Sequence, residues 1–220
     1  MTTETTRADT AMDNDPVPYL LQLDSSANLA SSVSRRLTGE FAQRWVNAAP
    51  GRTIRRRDLH TEQIPHLPTN ALHFAAGQRP QDAAAPSPSA VALQDELLAE
   101  LSEAEGVVIG APMYNFCMPS TLKAWLDYVH VIGVTSPAAE GVCPLRGKPV
   151  VVVSTRATPT GVDPRADFVL GPFFTILGEF MAMDVEGFVA HTEPPAAAGD
   201  FHRSPEQVEA DLFACAARWR

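Results

Sequence analysis

The chain has 220 residues, 45% of them hydrophobic and 20% charged, the balance of a packed globular domain rather than a disordered or fibrous chain. Twenty-six acidic side chains against seventeen basic ones give a formal charge of −9, a field that repels a phosphate backbone and excludes generic nucleic-acid binding. No run approaches the roughly eighteen apolar residues of a membrane span, and Cys117, Cys143 and Cys215 lack the spacing of a disulfide framework or a zinc site. A cytoplasmic protein without a metal is expected. Met1 to Pro16 is polar and acidic, without the regions of a secretory signal, and reads as a disordered tail ahead of one domain over residues 17–220.

Pro18 to Leu23 is a short apolar run closed by the polar segment Asp24 to Asn28, the pattern of a buried first strand and its exit loop. From Ser32 to about Ala48, Val33, Leu37, Phe41 and Trp45 recur at helical spacing, predicting a helix that lays this face on a sheet and stops before Pro50-Gly51. Thr53 to Leu59 predicts a second strand, and its Arg55, Arg56 and Arg57 suit an edge where side chains reach water. His60 to Ser89, rich in Pro, Ala and Gln, predicts a long surface excursion with little regular structure. Val91 to Ala104 then predicts a helix with Leu93, Leu97, Leu98 and Leu101 inward, Val107 to Ala111 a strand, and Pro119 to Val131 a helix. The valines of Pro149 to Val153 make the plainest strand, suited to burial on both faces. A helix over Phe168 to Met181, a strand over Asp184 to Val189 and a terminal helix over Pro205 to Arg218, with Val208, Leu212 and Cys215 or Ala216 inward, complete the chain. This alternation predicts an α/β fold with a parallel sheet, right-handed crossovers and helices on both sides.

Ligands of such sheets sit beyond the carboxyl ends of the strands, so three loops matter: Asp24 to Ser34, Pro112 to Ser120 and Ser154 to Gly161. In the first, Ser26, Ser32 and Ser34 join the backbone N–H groups of the helix start, including that of Val33, as a neutral cradle for phosphate. Taken alone, the run reads more simply as a polar loop with an N-cap. It is neither a Walker A loop nor a Gly-x-Gly-x-x-Gly fingerprint, which disfavours a nucleotide triphosphatase or a Rossmann dehydrogenase. The second loop reads Pro112-Met113-Tyr114-Asn115-Phe116, followed by Leu122, Lys123, Trp125, Leu126 and Asp127. Met113, Tyr114 and Phe116 are suited to wall a flat slot, and Asn115 to a sharp left-handed turn. Lys123 and Asp127 predict an exposed pair. Cys117 is expected to pack, and His130 and His191 to be structural or surface residues.

The second loop resembles the Pro-Met-Tyr-Asn-Phe…Leu-Lys-x-aromatic-(Leu/Phe)-Asp signature of FMN-dependent azoreductases and NAD(P)H:quinone reductases, and Ser154, Thr155 and Arg156 fall where that family has its third flavin loop. The resemblance covers roughly Tyr19 to Val189. It implies a flavodoxin-like three-layer sandwich with a five-stranded parallel sheet, FMN as cofactor, NADH or NADPH as electron donor, and quinones, with azo aromatics as a second class, as acceptors by ping-pong hydride transfer. It implies no catalytic side chain, and a homodimer with flavin sites at the interface. Ala157 and Thr158 stand where the family commonly has paired glycines, which puts the ring position and the substrate pocket in question. A biosynthetic reductase for one polycyclic quinone, a non-catalytic FMN electron carrier and a cofactor-free interaction module are the competing readings.

Overall fold

Five strands share one parallel sheet: β1 (Tyr19–Asp24), β2 (Thr53–Asp58), β3 (Gly106–Pro112), β4 (Pro149–Arg156) and β5 (Asp184–His191), in the order β2-β1-β3-β4-β5. The computed structural model describes residues 17–138, 141–157, 167–194 and 202–219; the tail expected over Met1 to Pro16 lies outside them. Parallel neighbours require crossovers, supplied by α1 (Val33–Asn47), α2 (Pro88–Glu103), α3 (Ser120–Val129), and α4 (Leu170–Phe173) continued by a π-helical stretch (Phe174–Phe180); α5 (Pro205–Ala216) follows β5.

Alternation along each strand divides the core. Val151 and Val153 of β4 join Leu20 and Val108 beneath α1 and α5, packing on Leu37, Phe41, Trp45, Val208, Leu212, Cys215 and Ala216. Val150 and Val152 turn the other way, with Leu21, Leu23, Val107 and Ile109, towards Leu97, Leu101, Leu122, Trp125 and Phe173 of α2, α3 and α4. Three layers result, as the resemblance implied. Val33, Leu93 and Leu98, all expected inward, are only partly buried at the margins of these clusters. Among the described residues no helix is long and apolar enough to cross a membrane.

The boundaries differ from the expectation where they bear on the site. Pro112, Ser154, Thr155 and Arg156 were expected in loops but are strand residues. Pro112 pairs with Thr155, and Ser154, Thr155 and Arg156 pair with Val189, Ala190 and His191 of β5. Both neighbours of β4 continue past its valines, so backbone pairing carries the strand on. The 60–89 excursion holds two short 3₁₀ turns, Asn70–His73 and Ala76–Gln78, and is more than a surface loop. Ile64, Ala71 and Leu72 are buried in the core, and the buried Gln94 amide donates to the carbonyls of Leu72 (2.8 Å) and Tyr128 (3.0 Å), pinning the excursion to α3.

β2 is the edge strand expected, yet its arginines are not left to water. Arg57 donates Nε and Nη2 to the buried Glu100 carboxylate, both at 2.7 Å, and also meets Glu96; Arg55 reaches Glu100 at 3.1 Å. The edge is thus strapped to α2 by charge-assisted bonds. Glu100→Gln takes from Arg57, only 12% exposed, the buried carboxylate that accepts two of its bonds and leaves it the half-exposed Glu96 alone. We expect a loss of about 2–3 kcal/mol in urea unfolding, below the range of a fully buried pair because Arg55 is half exposed.

Candidate functional site

The strand order reverses between β1 and β3, which opens a crevice at their carboxyl ends, and the first two sequence-derived loops meet there. The Ser32 hydroxyl caps α1 by accepting from the Arg35 N–H (3.3 Å) and lies 3.1 Å from the Ser34 hydroxyl. The loop before it is braced internally. Asn28 Oδ1 accepts from the Ala30 and Ser31 N–H groups at 3.1 and 3.0 Å, and Ser26 Oγ from the Asn28 N–H at 3.2 Å. The N–H groups of Val33 and Ser34, in the first helical turn, have no intrahelical acceptor, and Ser34 is fully buried. These donors, beside serine hydroxyls and at the positive end of a helix dipole, are groups of the kind that an anion can use.

Below this loop the register sets Asp24 directly beside Asp58. Thr38 Oγ1 and Gln22 Nε2 donate to Asp24 at 2.8 and 3.0 Å, and Arg56 Nε at 2.9 Å. Arg35 binds Asp58 through both Nη atoms at 2.6 and 2.8 Å, and holds the Asp58 carboxyl down at about 2. Two carboxylates against two guanidinium groups leave the base of this loop formally neutral.

The second loop is a two-residue hairpin. Tyr114 and Cys117 exchange N–H···O bonds of 2.8 and 3.1 Å, and the central Asn115 and Phe116 have φ of 51° and 66°, both left-handed as a type I′ turn requires. Asn115 suits this, as expected. Phe116 does not; a bulky residue at positive φ is strained by about 1 kcal/mol. The turn's own bonds leave the N–H groups of Asn115 and Phe116 unspent. The Tyr114 hydroxyl accepts from the Ala27 N–H (2.9 Å) and lies 3.3 Å from Ser26 Oγ, so the second loop is laced to the first. Met113 donates its N–H to the Thr155 carbonyl at 2.8 Å, lacing it to β4. Phe116 is 71% exposed, a wall open on its outer side. Cys117, expected to pack, is exposed because the hairpin lifts it to the rim.

The third segment brings its main chain to the rim and keeps its charge inside. Arg156 is buried against the equally buried Asp167, donating also to Ser154 Oγ at 3.0 Å. Its carbonyl accepts from Thr192, and that of Ala157 from Glu193, both at 2.9 Å. Ala157 is exposed and absent from the left-handed non-glycine residues among those described, Asn115, Phe116 and Ala182; Thr158 lies outside the described residues. Below, His191 is buried and stacked on His202. Its Nδ1 accepts the Arg203 N–H at 3.2 Å, and burial, with Arg156 and His202 adding to it, pushes its pKa down. His191 is structural, as expected.

Residues 19–220 match the family model for the flavodoxin-like fold. The chain is 44% identical over 173 residues to an FMN-dependent NADH:quinone oxidoreductase of Kineococcus radiotolerans, spanning 77% of this chain and 80% of that one. It is 37% identical over 203 residues to FMN-dependent NADH:quinone oxidoreductase 2 of Pseudomonas putida, spanning 90% and 98%. The chain belongs to this flavodoxin-like family. An azoreductase of Bacillus anthracis shares the fold at a TM-score of 0.68 and 22% identity, over 91% of this chain and 97% of that one. An FMN-dependent NADH-azoreductase of the same species, in complex with FMN, does so at 0.67 and 18%, over 91% and 98%.

For this flavodoxin-like chain, sequence reasoning found the three segments but missed what locks them together: Arg35 with Asp58, Asp24 with Arg56, the Tyr114 hydroxyl, and Arg156 with Asp167. One signal was available. Both leading strands end in aspartate, and parallel pairing in register sets those ends side by side. Among the described residues no cluster of His, Cys, Asp or Glu is arranged to hold a metal, and Lys123 with Asp127 is the exposed pair expected.

Two measurements test this geometry. Phe116→Gly removes a strained side chain that is mostly exposed, so stability in urea is expected to hold or rise by up to about 1 kcal/mol, whereas a relaxed turn would lose stability through added chain entropy. For His191 the folded pKa lies below the ordinary value near 6.5, so unfolded chains take up the proton first. Its contribution is present above about pH 6.5 and is lost as pH falls below it. His191→Gln is therefore expected to flatten the fall of stability between about pH 7 and 5, leaving the part due to His130, whose pKa burial also lowers.

Proposed function

We propose that this chain is an FMN-dependent NAD(P)H:quinone oxidoreductase whose flavin site is the rim where β1, β3 and β4 end. The observation that carries the site assignment is the pair of unspent donor sets. One, at Val33 and Ser34 among the hydroxyls of Ser26, Ser32 and Ser34, fits a terminal phosphate. The other, at Asn115 and Phe116, fits the polar edge of a flat ring. Pro112 and Met113 form the floor between them, with Tyr114 and Phe116 as walls. Ser154, Thr155 and the main chain of Arg156 close the third side. These residues suit FMN, a phosphorylated flat heterocycle, better than a dinucleotide, for which a glycine-rich turn is missing.

When bound, FMN would supply the two-electron chemistry that links NADH or NADPH to a quinone. The protein's part is placement and electrostatics. The Asn115 and Phe116 N–H groups would set partial positive charge at the polar edge of the ring, and the N-terminus of α1 would hold the phosphate. The neutral floor of Asp24, Asp58, Arg35 and Arg56 keeps a net anionic protein from repelling it. Donor and acceptor use one open face in turn, so no nucleophile or acid–base pair is required of the chain. Azo aromatics, also flat two-electron acceptors, are a second substrate class. Tyr114, Phe116 and Phe168, 40%, 71% and 70% exposed, give the rim an apolar border that a second copy would cover, in a homodimer with flavin sites at its interface.

An absorption spectrum and an FMN titration test the assignment. The protein is expected to carry flavin bands near about 450 nm, or to quench added FMN fluorescence at one flavin per chain; rapid mixing with NADH or NADPH should bleach the band and a quinone restore it. A colourless protein that leaves FMN fluorescence unchanged overturns the reading. Bleaching by neither nucleotide would make the chain an electron carrier, and turnover confined to polycyclic quinones a dedicated reductase.

A further inference from the structure

Arg35 lies in the first turn of α1, where a cation would ordinarily be assigned to the phosphate directly. Its geometry argues otherwise. Nε and Nη2 donate to the Ser26 carbonyl at 3.1 and 2.6 Å, while Nη1 and Nη2 donate to Asp58 at 2.6 and 2.8 Å. Those bonds occupy four of the five guanidinium N–H donors, and the side chain is only 10% exposed. Its charge is matched by Asp58. What Arg35 grips is the backbone of the loop, since Ser26 opens the segment that ends at the Ser32 cap. One side chain therefore fastens both ends of that segment, from α1 back to Ser26. Asp58 is in turn fixed at the end of β2, where its Oδ1 also accepts the His60 N–H at 3.1 Å. From the other side, Ser25 Oγ donates to the Gly110 carbonyl at 2.6 Å, and Tyr114 holds Ala27.

We infer that Arg35 and Asp58 form a positioning device that shapes the Ser26–Ser34 loop before any ligand arrives, so that affinity for the phosphate of the flavin depends on the pair's fork geometry and not on the charge of Arg35. The inference rests on the flavin reading above. Its physical content is pre-organisation: a loop already ordered does not spend binding free energy on being ordered, and its donors already point at the anion. The alternative, direct attraction between Arg35 and phosphate, predicts the opposite response at Asp58. Removing that carboxylate would free a positive charge beneath the cradle and tighten binding of an anion, whereas it deprives a strut of its footing.

Riboflavin separates the two, because it carries the same ring without the phosphate. Kd values for FMN and for riboflavin are measured by fluorescence quenching on the purified full-length chain and on Arg35→Gln, Arg35→Lys and Asp58→Asn, with circular dichroism and a thermal melt for each variant. All three variants are expected to lower the ratio of FMN affinity to riboflavin affinity by about tenfold, with riboflavin affinity within about twofold of the parent. Unchanged or tighter FMN binding by Asp58→Asn overturns the inference, as does a normal ratio in Arg35→Lys, which keeps the charge and loses the fork. Equal loss for both flavins also overturns it, since that marks general damage to the fold. Should Asp58→Asn fail to fold, the ratio for Arg35→Lys decides. Failure of the parent chain to bind FMN removes the flavin reading itself and shows before any variant is compared.

Discussion

Asp24 and Asp58 stand side by side at the ends of β1 and β2, and the rim is built around neutralising them. Adjacent carboxylates in a parallel ladder repel, and Asp24 is wholly buried, so the fold must supply cations and donors at close range. It draws them from three elements: Arg35 and Thr38 from α1, Arg56 from β2, and Gln22 from β1 itself. The same contacts fix where α1 begins relative to the sheet. The N-terminus of that helix and the serines leading into it are therefore held at a set height above the strand ends. Local neutrality also means that the rim adds nothing to the formal charge of −9, and charge elsewhere on the chain is screened by salt at a distance.

The three rim segments interlock. Tyr114 ties the hairpin to the first loop through the Ala27 N–H, and Met113 ties it to β4 through the Thr155 carbonyl. Interlocking accounts for how the strained turn persists. A hairpin with Phe116 at positive φ persists only because its flanks are fixed on both sides, and the strain holds two N–H groups and an exposed aromatic face in one orientation. The cost is small beside the core that supports it, where β3 and β4 are almost wholly buried along their length.

What the sequence revealed and what it concealed divide along range. Helix faces and strand alternation are local periodicities, and Leu37, Phe41, Trp45, Val208 and Leu212 could be read from spacing alone. Asn115 was legible because left-handed turns have few residues to choose from. Phe116 was not, since nothing in its chemistry favours that conformation and the reason lies in neighbours fixed from elsewhere. The Arg55–Arg57 run read correctly as an edge, but its partners Glu96 and Glu100 lie on a helix beyond a thirty-residue excursion. That excursion looked structureless because its few apolar residues have no period; Ile64 and Leu72 are buried by docking, with Gln94 accepting the task of satisfying an irregular backbone.

The third segment shows how a departure from an expected motif is absorbed. Ala157 and Thr158 stand where the resemblance would set paired glycines, residues that allow a sharp bend or close approach because they lack a Cβ. Here the chain bends at Ala157 without left-handed geometry. β5 runs to His191, and Thr192 and Glu193 go on to donate to the carbonyls of Arg156 and Ala157, extending the pairing two residues past the strand. Continued pairing keeps the backbone in a conformation open to any residue, so Ala157 is accommodated without left-handed geometry. Arg156, turned inward onto Asp167, then anchors the segment from beneath. Ala157 is thus held at the end of β4 by pairing with the segment that follows β5, over the buried Arg156–Asp167 ion pair.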